Sequence, residues 1–163
     1  MGCTNGQRHV GRITTLEVAF ACPNEDPAGA TFVPVGAVTT KSMSIDGNVL
    51  EANDSAASSG FSENQLSTSQ LSISLSGNCL KTDGTASVIG QIERLRFNAV
   101  KQDLSEDPII LVRYARPINT LTAYMIINSI SNEDPDSEYS TWSMELSLAP
   151  APLYPPSLVP TVV

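Results

Sequence analysis

Residues 69–78 read Ser69-Gln70-Leu71-Ser72-Ile73-Ser74-Leu75-Ser76-Gly77-Asn78. Successive side chains of a strand point to opposite faces, so Leu71, Ile73 and Leu75 fall on one side and Ser72, Ser74 and Ser76 on the other. The alternation predicts a half-buried strand from about Leu66 to Leu80 whose second face is small and polar, with Gly77-Asn78 as a bulge or bend. Such a strand needs partners, and the flanking sequence supplies them. Ile13–Cys22 and Thr31–Ser44 read as strands, the second an edge or a strand start because Pro34 lies early in it. Ile109–Arg116 carries Ile110, Val112 and Tyr114 on one face. Leu121–Ile130 is apolar on both faces, which predicts a central strand. Glu138–Leu148 directs Trp142, Met144, Leu146 and Leu148 inward, and Thr141, Ser143, Glu145 and Ser147 outward.

One helix interrupts this series. Val88, Ile92, Leu95 and Ala99 make a single helical stripe, starting after Asp83-Gly84-Thr85 and ending near Gln102, about 85–102. A long loop is expected over about 46–63, where Asp46-Gly47-Asn48 marks a turn and Asn53 to Gly60 is small and polar. Residues 1–11 form a polar arm. Beyond Ala149 the chain holds Pro150, Pro152, Pro155, Pro156 and Pro160, so 150–163 reads as an extended tail on a β domain of 1–149. Leu153, Tyr154, Leu158 and Val159 make this tail apolar enough that it is expected to lie on a neighbouring subunit.

The 163 residues amount to one domain with a real core. Twenty Ser and thirteen Thr, with only 16% charged residues, suit strands better than helices. A net charge of −8 argues against nucleic-acid binding, which needs cations to displace phosphate counterions. No apolar run reaches the roughly 20 residues that a bilayer requires. The polar start lacks the apolar stretch of a signal peptide. Met1-Gly2-Cys3-Thr4-Asn5-Gly6 has Gly6 where a myristoylation start has Ser or Thr. Cys3, Cys22 and Cys79 are odd in number and widely spaced, which points to reduced thiols.

Few residues suggest chemistry. His9 is the single histidine and lies in the polar arm, and no nucleophile, phosphate-loop or metalloprotease motif is present. Asp134-x-Asp136-x-Glu138 alternates carboxylates as calcium loops do, but Tyr139 stands where such a loop needs Gly, so it reads as a solvated acidic turn. Arg94, Arg96 and Lys101 could hold a phosphate, but such a face is more often a solvated helix surface or a partner for a neighbouring subunit's carboxylates, and Glu93 and Arg96 at i, i+3 already offer one intrahelical pair. Asn53-Asp54-Ser55 matches a glycosylation sequon without a secretion signal beside it. No catalytic residue, metal or cofactor is expected.

The order of elements and three segments carry a resemblance: Gly36 to Ile45, Ser59-Gly60-Phe61 through Asn78, and Tyr139-Ser140-Thr141-Trp142-Ser143-Met144-Glu145-Leu146-Ser147-Leu148-Ala149-Pro150. Over roughly Phe32 to Pro150 the chain resembles the major tail protein, or tail tube protein, family of long-tailed bacteriophages. The resemblance implies a mainly β sandwich or barrel with one flanking helix, in a structural virion protein of the phage tail assembled in the host cytoplasm. Six subunits would close into a ring, and rings would stack into a hollow tube. A tape-measure protein would fill it before ejection, terminator and tip proteins would meet its ends, and viral DNA would pass through without specific binding. No membrane would be involved. By this resemblance Asp46, Gly47, Asn53, Asp54, Gly60, Phe61 and Glu63 belong to an inter-ring loop. Ser72, Ser74, Ser76, Ser143, Glu145 and Ser147 are candidates for the lumen wall, the other reading being that these faces cover the tube exterior or a subunit interface. The alternatives are a soluble β-rich binding or decoration module and the inner tube of a contractile injection system.

Overall fold

The structure, a computed structural model, describes residues 14–52, 63–79, 87–101, 107–151 and 153–161. Its strands are β1 (Thr15–Ala19), β2 (Val33–Pro34), β3 (Val38–Ala52), β4 (Glu63–Asn78), β5 (Ile109–Ala115), β6 (Asn119–Glu133), β7 (Thr141–Leu148) and β8 (Ser157–Pro160). One helix, α1 (Val88–Lys101), separates β4 from β5. All pairings are antiparallel in the order β2-β1-β5-β6-β7-β4-β3, with β8 added to β6. β6 is central, as its two apolar faces predict. Pro34 sits in the short edge strand β2, where its missing N–H costs no ladder bond.

The inner face of the sheet makes the core. Leu16, Ile73, Val112, Met125, Met144 and Leu146, from five different strands, belong to one buried cluster. Lys41 of β3 donates to the Thr14 carbonyl just before β1, so the two flanks of the sheet meet and the sheet curls over its own core. α1 packs into that core through Ile92, with Val88 and Leu95 beside it and Ala99 also buried, which is the predicted stripe. Its N-terminus differs from the expectation. Ser87 caps it, accepting a hydrogen bond from the Gly90 N–H at 3.0 Å, and residues 80–86 lie outside the described ones.

Gly77 and Trp142 fix one corner. A Cβ on Gly77 would strike the Ala37 carbonyl oxygen and come within 2.7 Å of Trp142 Cζ2. Ala37 itself has a left-handed φ of 55°. The irregularity expected at Gly77-Asn78 is present, but the extra residue is Thr39 on the opposite strand, between Val38↔Gly77 and Thr40↔Ser76. Trp142 Nε1 donates to the Asn78 carbonyl at 3.2 Å, so its buried polar atom is satisfied.

Several boundaries move. The strand expected over 31–44 breaks at Val35–Ala37 into β2 and β3. The loop expected over 46–63 is narrower, because β3 runs to Ala52 and β4 starts at Glu63, paired opposite it. Asp46 pairs with Gln70 and Gly47 with Ser69, so the turn expected there is a ladder. This part of the hairpin extends past the core, with Ile45 and Val49 exposed. Backbone hydrogen bonds hold it, and they leave no hydrophobic alternation to detect. The strand expected from Glu138 begins at Thr141 as β7, and Leu148 shares the inner face but sits at its open end, 36% exposed.

Candidate functional site

The outward face of β3, β4, β7 and the second half of β6 is a continuous panel of small polar side chains. Cross-strand partners point to the same face, so the registers align them in rows. One row is Thr40–Ser76–Ser143–Ser131 and the next is Ser42–Ser74–Glu145–Ser129. A third holds Ser44, Ser72 and Ser147. Ser131 and Ser143 hydroxyls lie 2.7 Å apart, and Ser147 Oγ donates to Asn128 Oδ1 at 2.9 Å. Ser44 Oγ donates to Asp46 Oδ2 at 2.6 Å, so these hydroxyls are spent within the panel.

The six lumen candidates are therefore brought together as three direct pairs: Ser72 with Ser147, Ser74 with Glu145, and Ser76 with Ser143. Sequence reasoning missed the two outer columns. Thr40, Ser42 and Ser44 alternate with Lys41, Met43 and Ile45, a period-two signal that was available. The β6 column was hidden by a bulge at Asn128, between Ile127↔Leu146 and Ser129↔Glu145. The extra residue reverses the parity of β6, turning Ile130 toward the core and Ser129 and Ser131 outward.

Charge on the panel has one sign. Asp46, Glu133 and Glu145 lie on this face, and no Lys or Arg does among the described residues. The panel also has open borders. β3 ends the sheet and pairs with β4 alone, and residues 128–133 of β6 pair only with β7 among the described residues.

The outward face of β1, β5 and the first half of β6 is built differently. Ala19, Leu111 and Tyr124 are buried there beneath Ala21, Ala30, Phe32, Ala149 and Tyr154. Arg113 stacks on the Phe32 ring at 4.1 Å and pairs with Glu17 at 2.6 Å. Tyr124 Oη donates to the Glu25 carbonyl at 2.7 Å. Burial raises its pKa above the ordinary tyrosine value of 10.0, and the neighbouring Glu25 raises it further.

The remaining candidates fall as follows. Asn53, Asp54, Gly60 and Phe61 lie outside the described residues, and Glu63 opens β4. Tyr154 packs on the protein's own second cluster, and β8 pairs Leu158 with Leu121 and Val159 with Thr120. Leu153, Leu158 and Val159 stay exposed. Among the described residues no three His, Cys, Asp or Glu side chains are grouped to hold a metal, and no helix is long and apolar enough to cross a membrane.

No protein-family model and no curated protein matches this sequence. Solved structures do. The chain is similar to a subunit in the tail of an empty gene transfer agent (GTA) particle refined with C6 symmetry, at 13% identity and a TM-score of 0.63, covering 95% of this chain and all of that one. It is similar to the SPP1 tail tube subunit at 10% identity and a TM-score of 0.58, covering 94% and 80%. It is also similar to a subunit of the anti-feeding prophage (AFP) baseplate at 11% identity and a TM-score of 0.56, covering 95% and 97%. This chain thus has the mainly β fold with a flanking helix that these tail and baseplate assemblies share.

Proposed function

We propose that this chain is a tail tube subunit: six copies close into a ring, rings stack into a hollow tube, and viral DNA passes through its lumen. The observation that carries the reading is the serine panel with an open strand edge on either side. An unpaired edge of fifteen residues, such as β3, is a template for another strand. Joining part of the β3 edge of one copy to the open residues 128–133 of β6 in the next gives partners to backbone groups on both, and a closed ring repeats that pairing at every contact. The panel then becomes the wall. The hydroxyls of Ser44, Ser131, Ser143 and Ser147 already have partners within the panel, and its carboxylates repel phosphate weakly across a screening length of about 8 Å. DNA can slide along such a surface without being held. The fold shared with a C6-symmetric tail supports this reading.

The reading also gives Asn53, Asp54, Gly60 and Phe61 to contacts between rings, and Leu153, Leu158 and Val159 to a neighbouring subunit. A tape-measure protein would occupy the lumen before DNA, and terminator and tip proteins would close its ends. Negative-stain images of the purified protein test the assembly: rings or tubes are expected, and compact monomers alone would overturn it. Glu145→Lys tests the lumen. Tails should form, but ejection should slow at low salt and recover as salt rises, because each added cation can hold a phosphate. An unchanged rate in particles with intact tails would place Glu145 outside the lumen.

A further inference from the structure

α1 covers the core from the side away from the serine panel, and its outer face has no cover among the described residues. Arg94, Phe97 and Lys101 follow one another at helical spacing, with Val100 beside them. Phe97 is 65% exposed and Val100 60% exposed. Together with Arg96, the helix carries three of the chain's nine Lys and Arg residues against one acidic residue, Glu93. In a protein of net charge −8 this is a local reversal of sign. None of the three bases has a carboxylate partner among the described residues, where the one ion pair is Glu17–Arg113.

The complementary surface lies on the same protein. The turn between β6 and β7 carries Asp134, Asp136 and Glu138, all exposed and without an ion pair among the described residues. Tyr139 follows them at 83% exposure. Asn132, at the base of this turn, donates to Glu93 of α1 at 2.9 Å, so both surfaces belong to one end of the subunit. Even so, the bases and the acids of one chain do not pair with each other.

We infer that the outer face of α1 is a contact surface for the acidic β6–β7 turn of a second copy of this chain. A patch and its complement on one subunit make a heterologous contact, the type that a rotation closes into a ring and a translation extends into a stack. Phe97 and Tyr139 supply apolar anchors, and the charges around them set partner and register. The inference rests on the ring-forming reading above, which supplies the second copy.

Charge exchange tests it on the full-length protein. Arg94→Glu with Lys101→Glu reverses the helix, and Asp134→Lys with Asp136→Lys reverses the turn. Each double variant alone should need about tenfold more protein to assemble at low salt, as like charges then face each other. An equimolar mixture should assemble as the unmodified protein does, since alternating copies match at every contact. The neutral pair Arg94→Gln with Lys101→Gln should show a smaller loss. Unchanged melting temperatures identify the losses as assembly effects. If the unmodified protein forms rings and either reversed variant assembles equally well at low salt, or the mixture is no better than its components, the contact is overturned alone. An unmodified protein that forms no ring overturns the tube reading as well.

Discussion

The outward face of one sheet is finished in two ways. Over β1, β5 and the first half of β6 it carries Ala19, Leu111 and Tyr124, and chain from residues 21–32 and 149–154 covers it. Over β3, β4, β7 and the second half of β6 it carries serines and is bare among the described residues. Both halves alternate along their strands, and both are backed by the same core. The difference is the presence of covering chain: where a segment remote in sequence lies across the sheet, the outer positions are apolar, and where none does they are small and polar. A face that none of the described chain covers suits water or an assembly.

The comparison breaks most sharply at Leu111. Leu111→Ser puts a serine of the bare half into the covered half, and should cost about 4 kcal/mol through lost apolar burial and an unsatisfied hydroxyl. A denaturant midpoint close to that of the unmodified protein would show that the covered half is not a second core. Ending the chain at Pro150 removes Tyr154 and the four-residue β8 while leaving the serine panel intact. It should cost about 2 kcal/mol in thermal unfolding and increase binding of a hydrophobic dye. Equal stability would mean that the tail contributes nothing within its own subunit.

Tyr124→Phe is a smaller probe of the same half and should cost about 1 kcal/mol through the lost bond to the Glu25 carbonyl. It also changes the alkaline limit. With its folded pKa raised, Tyr124 keeps its proton in the native state while the unfolded tyrosine ionises near 10.0. Its contribution is therefore fully present below pH 10 and is lost as pH rises above it. Melting curves between pH 8 and pH 11 should show a fall in the unmodified protein that is shallower in the variant. Parallel curves would mean that Tyr124 is not the group responsible. The smallest effect belongs to the bare half: Ser74→Val should change stability by less than about 0.5 kcal/mol, since surface positions without a partner tolerate exchange. A large loss there would mean that the panel is held by its hydroxyls rather than by the core behind it.

Much of this was legible in the residues. Leu71, Ile73 and Leu75 had to share a face because a strand has a period of two, and Ile92 and Ala99 had to share one because a helix has a period near 3.6. The pairing of Ser72, Ser74 and Ser76 with Ser147, Glu145 and Ser143 could be expected as a type of contact, but its register could not. The bulge at Asn128 has no residue signature, and it decides which β6 side chains join the panel. Leu111 alternates out of phase with Ile110 and Val112, and nothing beside it announces the chain that buries it.

By itself, then, the sequence determined the local periods: most of the sheet strands though not β8 or the far half of β3, where the helix lies, and that one strand face is polar. Those properties follow from neighbours a few residues apart. The tertiary structure decided which outer half is covered, how far the β3–β4 hairpin continues beyond the core, and that six serine-face candidates stand in three facing pairs. Each of these depends on contacts between residues tens of positions apart. Their strength comes from backbone ladders and mutual burial, which no single segment carries in its side-chain pattern.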